Sequence, residues 1–188
     1  MRQCEIAEAK SVKSFIANEQ LNYIPLQHGK SLVNRLWQLA EFVKEQITIE
    51  IAYKRLDGTI RQHEVKPVGI MFSEFYFYLI TYIDGKPFPT VFRVDRINSI
   101  KGTDERFEIP YSEKFSESEF RKRVQFMYAG ELRTIRFLYK GGLEAVLDRL
   151  PTARVESETD DGVVIRAEVY GDGVDMWLRS QGEKVKIL

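Results

Sequence analysis

The densest run of chemistry-bearing residues in this chain is Arg93-Val94-Asp95-Arg96. Two guanidinium groups and one carboxylate fall within four positions. Guanidinium groups hold phosphate or carboxylate through paired hydrogen bonds in a fixed plane. Alternation along an upstream extended segment places Arg61, His63 and Val65 on one face and Ile60, Gln62 and Glu64 on the other. In a later segment Val91, Arg93 and Asp95 share a face, with Phe92 and Val94 opposite. A small sheet built from these segments brings Arg61, Arg93 and Arg96 within a few strand positions of one another. Tyr53, Tyr78 and Tyr82 lie on strands that reach the same area, and tyrosine rings offer stacking faces for bases. The set suits an anionic, nucleotide-like ligand. The same residues also fit a structural ion-pair cluster beside core tyrosines, and composition alone favours that second reading.

Signals for catalysis are weak. The chain has no nucleophile elbow, no Walker loop and no dinucleotide glycine fingerprint. Gly141-Gly142 reads as a strand-to-helix turn, and Cys4 as a bystander thiol with no histidine near it in sequence. One Cys and two His, His28 and His63, do not supply a structural zinc set. The expectation is a non-enzyme with no cofactor and no metal. Arg121-Lys122-Arg123 falls at a predicted helix end, where cations suit the helix dipole; it is a secondary candidate for nucleic acid.

The 188 residues carry 28 Lys+Arg and 28 Asp+Glu, a formal charge of zero, so any nucleic-acid site must be a local patch. A 44% hydrophobic and 30% charged composition is that of a globular protein. A single cysteine excludes an internal disulfide and fits a reducing, cytoplasmic setting. The apolar runs are too short to cross a membrane, and the first residues do not read as a secretion signal.

Three zones position these residues. Residues 1–46 read as a helical linker or dimerisation segment. One helix covers 3–19, with Ala7, Ala9, Val12, Phe15 and Ile16 as its apolar stripe, and Asn22-Tyr23-Ile24-Pro25 breaks it. A second covers 31–45, with Leu32, Leu36, Leu39 and Val43 at helical spacing, widened by Val33, Trp37 and Ala40. Residues 47–111 change to period two. Ile47, Ile49, Ile51 and Tyr53 alternate with polar positions, and Asp57-Gly58 makes a hairpin turn. A return strand at about 60–66 stops at Pro67, and 72–82 reads as one central strand. After a turn at Asp84-Gly85 come strands at 90–95 and 97–102, the pattern of a small antiparallel barrel. Residues 112–188 open with a capping box at Ser116–Glu119 and a helix to about 125. Strand 131–139, a helix carrying Leu143, Val146, Leu147 and Leu150, the hairpin 153–158/163–170, a helix near 173–180 and strand 184–188 follow. That order, β-α-β-β-α-β, is the ferredoxin-like plan, and the class is α+β.

The segment from Ile47 to Ile109 resembles a WYL domain. The matching pieces are Ile49-Glu50-Ile51-Ala52-Tyr53, the Asp57-Gly58 turn, Val65-Lys66-Pro67, Phe77-Tyr78-Leu79 and Phe92-Arg93-Val94-Asp95-Arg96-Ile97. Met176-Trp177-Leu178-Arg179-Ser180-Gln181-Gly182, followed by Val185-Lys186-Ile187-Leu188, resembles the WCX extension that follows WYL in bacterial regulators. The resemblance implies an Sm-like, SH3-type barrel that senses small anionic or nucleic-acid ligands. It also implies a homodimer and duplex-DNA contact through a helix-turn-helix domain, which these residues do not include. The site positions it carries over are Tyr53, Tyr78, Arg93 and Arg96; Arg61 is added from strand facing. Asp95 is read as holding an arginine in place. Phe77 stands where the family has its tryptophan, which removes an indole donor. The expected function is therefore the ligand-sensing effector region of a bacterial transcriptional regulator. The alternatives are a single-strand nucleic-acid module or a nucleotide-processing enzyme.

Overall fold

The computed structural model describes residue 24, residues 26–109 and residues 115–188. The helix expected over 3–19, Cys4, and Asn22, Tyr23 and Pro25 of the break lie outside the described residues. The chain divides into two compact units, Met1–Ser31 and Leu32–Leu188. In the first, Nδ1 of His28 accepts the Lys30 backbone N–H at 3.0 Å, beside a turn in which Gly29 has φ 57°.

The second unit opens with α1 (Val33–Glu45), which buries Leu39 completely and packs Leu36, Phe42 and Val43 on the core of the first sheet. Gln46 ends the helix at φ 52°. β1 (Ile47–Lys54) buries Ile49 and Ile51 and exposes Glu50, as the alternation predicts, but Thr48 and Ala52 of the opposite face are buried as well. At the next turn Asp57 Oδ1 accepts from the Thr59 N–H at 2.9 Å and its hydroxyl at 2.6 Å.

β2 (Ile60–Ser73) differs from the expectation, because it runs through Pro67 instead of stopping there. Its first half pairs with β1, and from Lys66 onward it pairs with β3 (Tyr76–Tyr82). Pro67 sits where the partner changes, next to a register shift between Pro67 and Gly69. A residue with no N–H is tolerated at such a bulge. The segment 72–82 is likewise not one strand. Glu74 takes φ 54° and turns the chain, so that Phe72 pairs with Phe77 and Ser73 with Tyr76. The unbroken aromatic run hides that turn, since it contains no Gly, Pro or Asn.

β4 (Thr90–Arg93) ends two residues earlier than predicted, in a 3-10 turn over Val94–Arg96, and β5 (Ile97–Arg106) runs longer than predicted. The sheet order is β4-β3-β2-β1-β5, antiparallel throughout. The edges of a flat five-stranded sheet lie about 19 Å apart. A 3-10 turn advances only about 2 Å per residue. The turn that joins the two edge strands therefore forces the sheet to curl. No strand pairing joins β4 to β5 among the described residues, so the sheet is curled and open where a closed barrel was expected. The tight turn interrupts the extended backbone where a closing ladder would begin.

α2 (Glu117–Arg123) leads to the second sheet. The Ser116 hydroxyl caps it by accepting the Glu119 N–H, while the Glu119 carboxylate turns to Lys122 and Arg123. β6 (Leu132–Tyr139), α3 (Leu143–Arg149), β7 (Arg154–Thr159), β8 (Gly162–Tyr170), α4 (Gly173–Ser180) and β9 (Val185–Ile187) follow. Their antiparallel sheet has the order β7-β8-β6-β9. Phe137, Val146, Leu150, Ile165 and Val174 form its core with Trp177, whose ring lies 6.3 Å from that of Phe137. A third apolar cluster joins Met71 and Ile80 of the first sheet to Phe120, Val124 and Met127. The described fold is α+β, with two antiparallel sheets and four helices.

Leu39 is the deepest anchor of α1. Leu39→Ala should lower unfolding stability by about 2–5 kcal/mol in urea titration, through lost burial and the cavity left behind.

Candidate ligand site: an arginine-lined cleft

The cleft starts from the turn after β4. Arg93 is the last residue of that strand, and Asp95, nearly buried, lies inside the 3-10 turn. The turn swings Asp95 back under Arg93. Arg93 donates from Nε to Oδ1 at 3.0 Å and from Nη2 to Oδ2 at 2.8 Å, a bidentate pair. The other side of the guanidinium is covered by the Tyr76 ring, 3.4 Å from Cζ to centroid. The Tyr53 hydroxyl accepts the Arg93 backbone N–H at 3.4 Å, and its ring packs edge-on against Phe92 at 4.9 Å. Tyr78 stands opposite Arg93 in the β3–β4 ladder. The turn is gripped from behind by Arg35 of α1, whose Nη1 donates to the carbonyls of Ile97 at 2.5 Å and Val94 at 3.4 Å.

In front of this turn lies a cleft of about 480 Å³. It brings together Tyr53, Tyr78, Arg93 and Arg96. Arg61 does not line it; it stays exposed at the hairpin end of β2, opposite Tyr53 in the ladder. Tyr82 faces a neighbouring hollow of about 570 Å³ instead. That larger hollow is lined by Glu119 and Glu131 and by no Lys or Arg, so it does not suit an anion. The sequence reading missed Lys86, from the β3–β4 loop, and the far wall of the cleft, Phe126, Met127 and Tyr128. A cation just after the Asp84-Gly85 turn was a usable signal for Lys86. Nothing local marked 126–128, since only the docking of the second sheet brings that segment opposite β4. Arg35 was missed because only the packing of α1 on the first sheet brings it to the turn.

The charges in the cleft are unequal. Burial works against the charge on Arg93, but the hydrogen bonds and charge of Asp95, with Tyr76 and Tyr78, outweigh it and raise its pKa. Arg93 is thus a fixed cation already engaged by its own chain. Arg96 and Lys86 make no ion pair among the described residues and present their charges to the cleft. Burial raises the Tyr78 pKa despite the nearby Arg93, so its phenol stays neutral and can donate a hydrogen bond. His63, whose ring lies 5.2 Å from Phe92, has its pKa lowered by burial and by Lys86, Arg61 and Arg55.

The second basic cluster is differently engaged. Arg121 pairs with Glu117, Lys122 with Glu119, and Arg123 with Glu119 and Glu168. Among the described residues, no group of three or more His, Cys, Asp or Glu is placed to hold a metal ion. Nor is any described helix long and apolar enough to cross a membrane.

The lowered pKa of His63 carries a sign for stability. Its folded-state pKa lies below the unfolded value, so its contribution is complete above about pH 6.5 and is lost as pH falls through the lower, folded value. The melting temperature should therefore fall between pH 7.5 and 5.5, and fall less in His63→Gln, as read by circular dichroism.

Residues 35–101 match the family model described as the WYL domain. No curated protein matches the chain. Among solved structures, the chain is similar to the proteasome accessory factor B/C (PafBC) of Arthrobacter aurescens, at 18% identity and a TM-score of 0.42. That match covers 81% of this chain and 24% of the other. It is also similar to a protein described as CRISPR Cas-related, at 15% identity and a TM-score of 0.53, covering 84% of this chain and 47% of that one. The chain thus spans about a quarter and about half of these two structures, and at such identity the second likeness speaks for the fold. The matched segment holds α1 from Arg35, the first four strands, the Arg93–Arg96 turn and the start of β5. By that match, this chain carries a WYL domain.

Proposed function

We propose that the cleft is the sensing site of a bacterial transcriptional regulator, and that it takes an anionic small molecule or a nucleotide-like ligand. The observation that carries this reading is the gathering on one cleft of Arg93, Arg96, Tyr53 and Tyr78, all four from the matched WYL segment. Arg96 and Lys86 supply charge that the fold does not itself neutralise, and the Tyr78 hydroxyl supplies a neutral donor. Arg93, braced by Asp95, sets the position of the turn more than it adds free charge.

Arg35 supports a relay from this site. It ties the carbonyls on either side of the turn to α1, so movement of Arg96 on ligand binding is passed to that helix. The helix then shifts the arrangement of two copies and, through them, a DNA-binding domain outside these residues. A ligand drives such a change only by binding one arrangement more tightly than the other. The homodimer is read from α1, whose inner face packs Leu36 and Leu39 while Val33 and Trp37 stand 59% and 68% exposed. The β6-to-β9 order, with a helix after β6 and after β8, supports a ferredoxin-like WCX extension. The curl of the first sheet supports an Sm-like plan.

The test is binding of the purified chain to a labelled single-stranded oligonucleotide, with free nucleotides as competitors and a salt series alongside. Arg96→Ala should weaken binding at least about tenfold, within the 1.5–3 kcal/mol of a charge-assisted contact. Retained affinity in an Arg93→Ala/Arg96→Ala variant would remove the site assignment. A steep loss with salt and no competition by free nucleotides would favour a direct single-strand module. For the dimer, light scattering should show Trp37→Lys shifting a dimeric chain to monomer.

A further inference from the structure

The far wall of the cleft is built from outside the matched WYL segment. Phe126 and Met127 have φ of 50° and 57°, two successive left-handed residues, neither of them glycine. Such backbone persists only where its surroundings over-determine it. Here the second sheet does so from several sides. Gln125, almost fully buried, donates from Nε2 to the Arg149 carbonyl at 3.1 Å. The Arg149 guanidinium lies over the Phe126 ring at 4.6 Å and reaches Glu74 at 3.7 Å. The β8–α4 turn closes against the same segment so tightly that a Cβ at Gly173 would collide with the Gln125 carbonyl oxygen. One at Gly171 would come 2.8 Å from that of Tyr128. Met127 is buried, and Val124 bridges to Tyr170. One residue of this clamped segment remains open, Tyr128, which is 52% exposed and lines the cleft together with Arg93 and Arg96, at the border with a neighbouring hollow.

We propose that Tyr128 is the ring-recognition residue of the site: the C-terminal region supplies an aromatic wall against which the flat ring of a phosphate-bearing ligand stacks. Its phosphate is held by Arg96 and Lys86. This rests on the cleft being an anion site, as read above. The strain and the clamps keep the 126–128 backbone in place before the ligand arrives, so binding carries the ordering cost of the Tyr128 side chain and not that of its backbone. Ligand choice is therefore divided. The curled sheet selects for phosphate, and the segment after α2 selects for a ring beside it. The ligand class is a nucleotide, free or within a single strand.

The probes are a thymidine pentanucleotide, an abasic strand of the same length, and thymidine 5′-monophosphate, each titrated calorimetrically into the full chain. The wild type should bind the pentanucleotide more tightly than the abasic strand. Tyr128→Ala should lose about tenfold on the pentanucleotide, within the range measured for base–aromatic stacking, and leave the abasic strand unchanged. Tyr128→Phe should restore the difference, since the ring and not the hydroxyl stacks. A parallel loss for thymidine 5′-monophosphate would assign the ring contact to a free nucleotide; a loss confined to the pentanucleotide would assign it to a strand. Equal affinity of the wild type for both strands, or an unchanged pentanucleotide affinity in Tyr128→Ala, would overturn the proposal. If the wild type bound neither strand, or if Arg96→Ala bound both unchanged, the anion-site reading would fail first and this inference with it.

Discussion

The turn over Val94–Arg96 is where the architecture of the first sheet is decided. It joins the two edge strands of a five-stranded sheet, and so short a link can do that only if the sheet curls. Two arginines hold it. Arg93 engages Asp95 from the strand side, and Arg35 takes its flanking carbonyls from the helix side. Asp95 is nearly buried, and a carboxylate at that depth is stable only when its charge is met; the bidentate Arg93 contact meets it. Without these contacts the turn would leave a buried charge and unmatched carbonyls.

The same turn separates two kinds of arginine. Arg93 is enclosed between a carboxylate and the Tyr76 ring, with two of its five N–H donors engaged by Asp95. Arg96, three residues on, is carried to the cleft without an ion-pair partner among the described residues. The motif is thus a structural ion pair and a source of accessible charge at once. The two readings that its residues allow apply to different members of it.

Around the cleft the two sheets have different parts. The first provides Tyr53, Tyr78 and Arg93 from its strands, Arg96 from the turn and Lys86 from the β3–β4 loop. The second holds a short strained segment in place through buried contacts and close backbone approach. The cluster of Met71, Ile80, Phe120, Val124 and Met127 joins them, so the cleft has a shared apolar floor. The cleft thus lies between the first sheet and a connecting segment that is clamped to the second.

Much of this was legible along the chain. The period-two run from Ile47, the Asp57-Gly58 turn, the Ser116 cap and the Val174–Trp177–Leu178 spacing all appear in the structure near their predicted places, because each depends on neighbours a few residues away. The four site positions carried over by the family resemblance line one cleft, while Arg61, added from strand facing, does not. Other features were settled only by contacts between distant segments. Pro67 lies inside β2 because that strand changes partner there, and Glu74 turns the chain because Phe72 meets Phe77. Arg61 stays outside the cleft, while Lys86 and Tyr128 enter it. The residues by themselves determined the class of most segments and where charge is concentrated, but not where β2 ends and β3 begins. Which loop faces that charge was decided by the curl of one sheet and the docking of the other, and such long-range pairing leaves no period in the sequence.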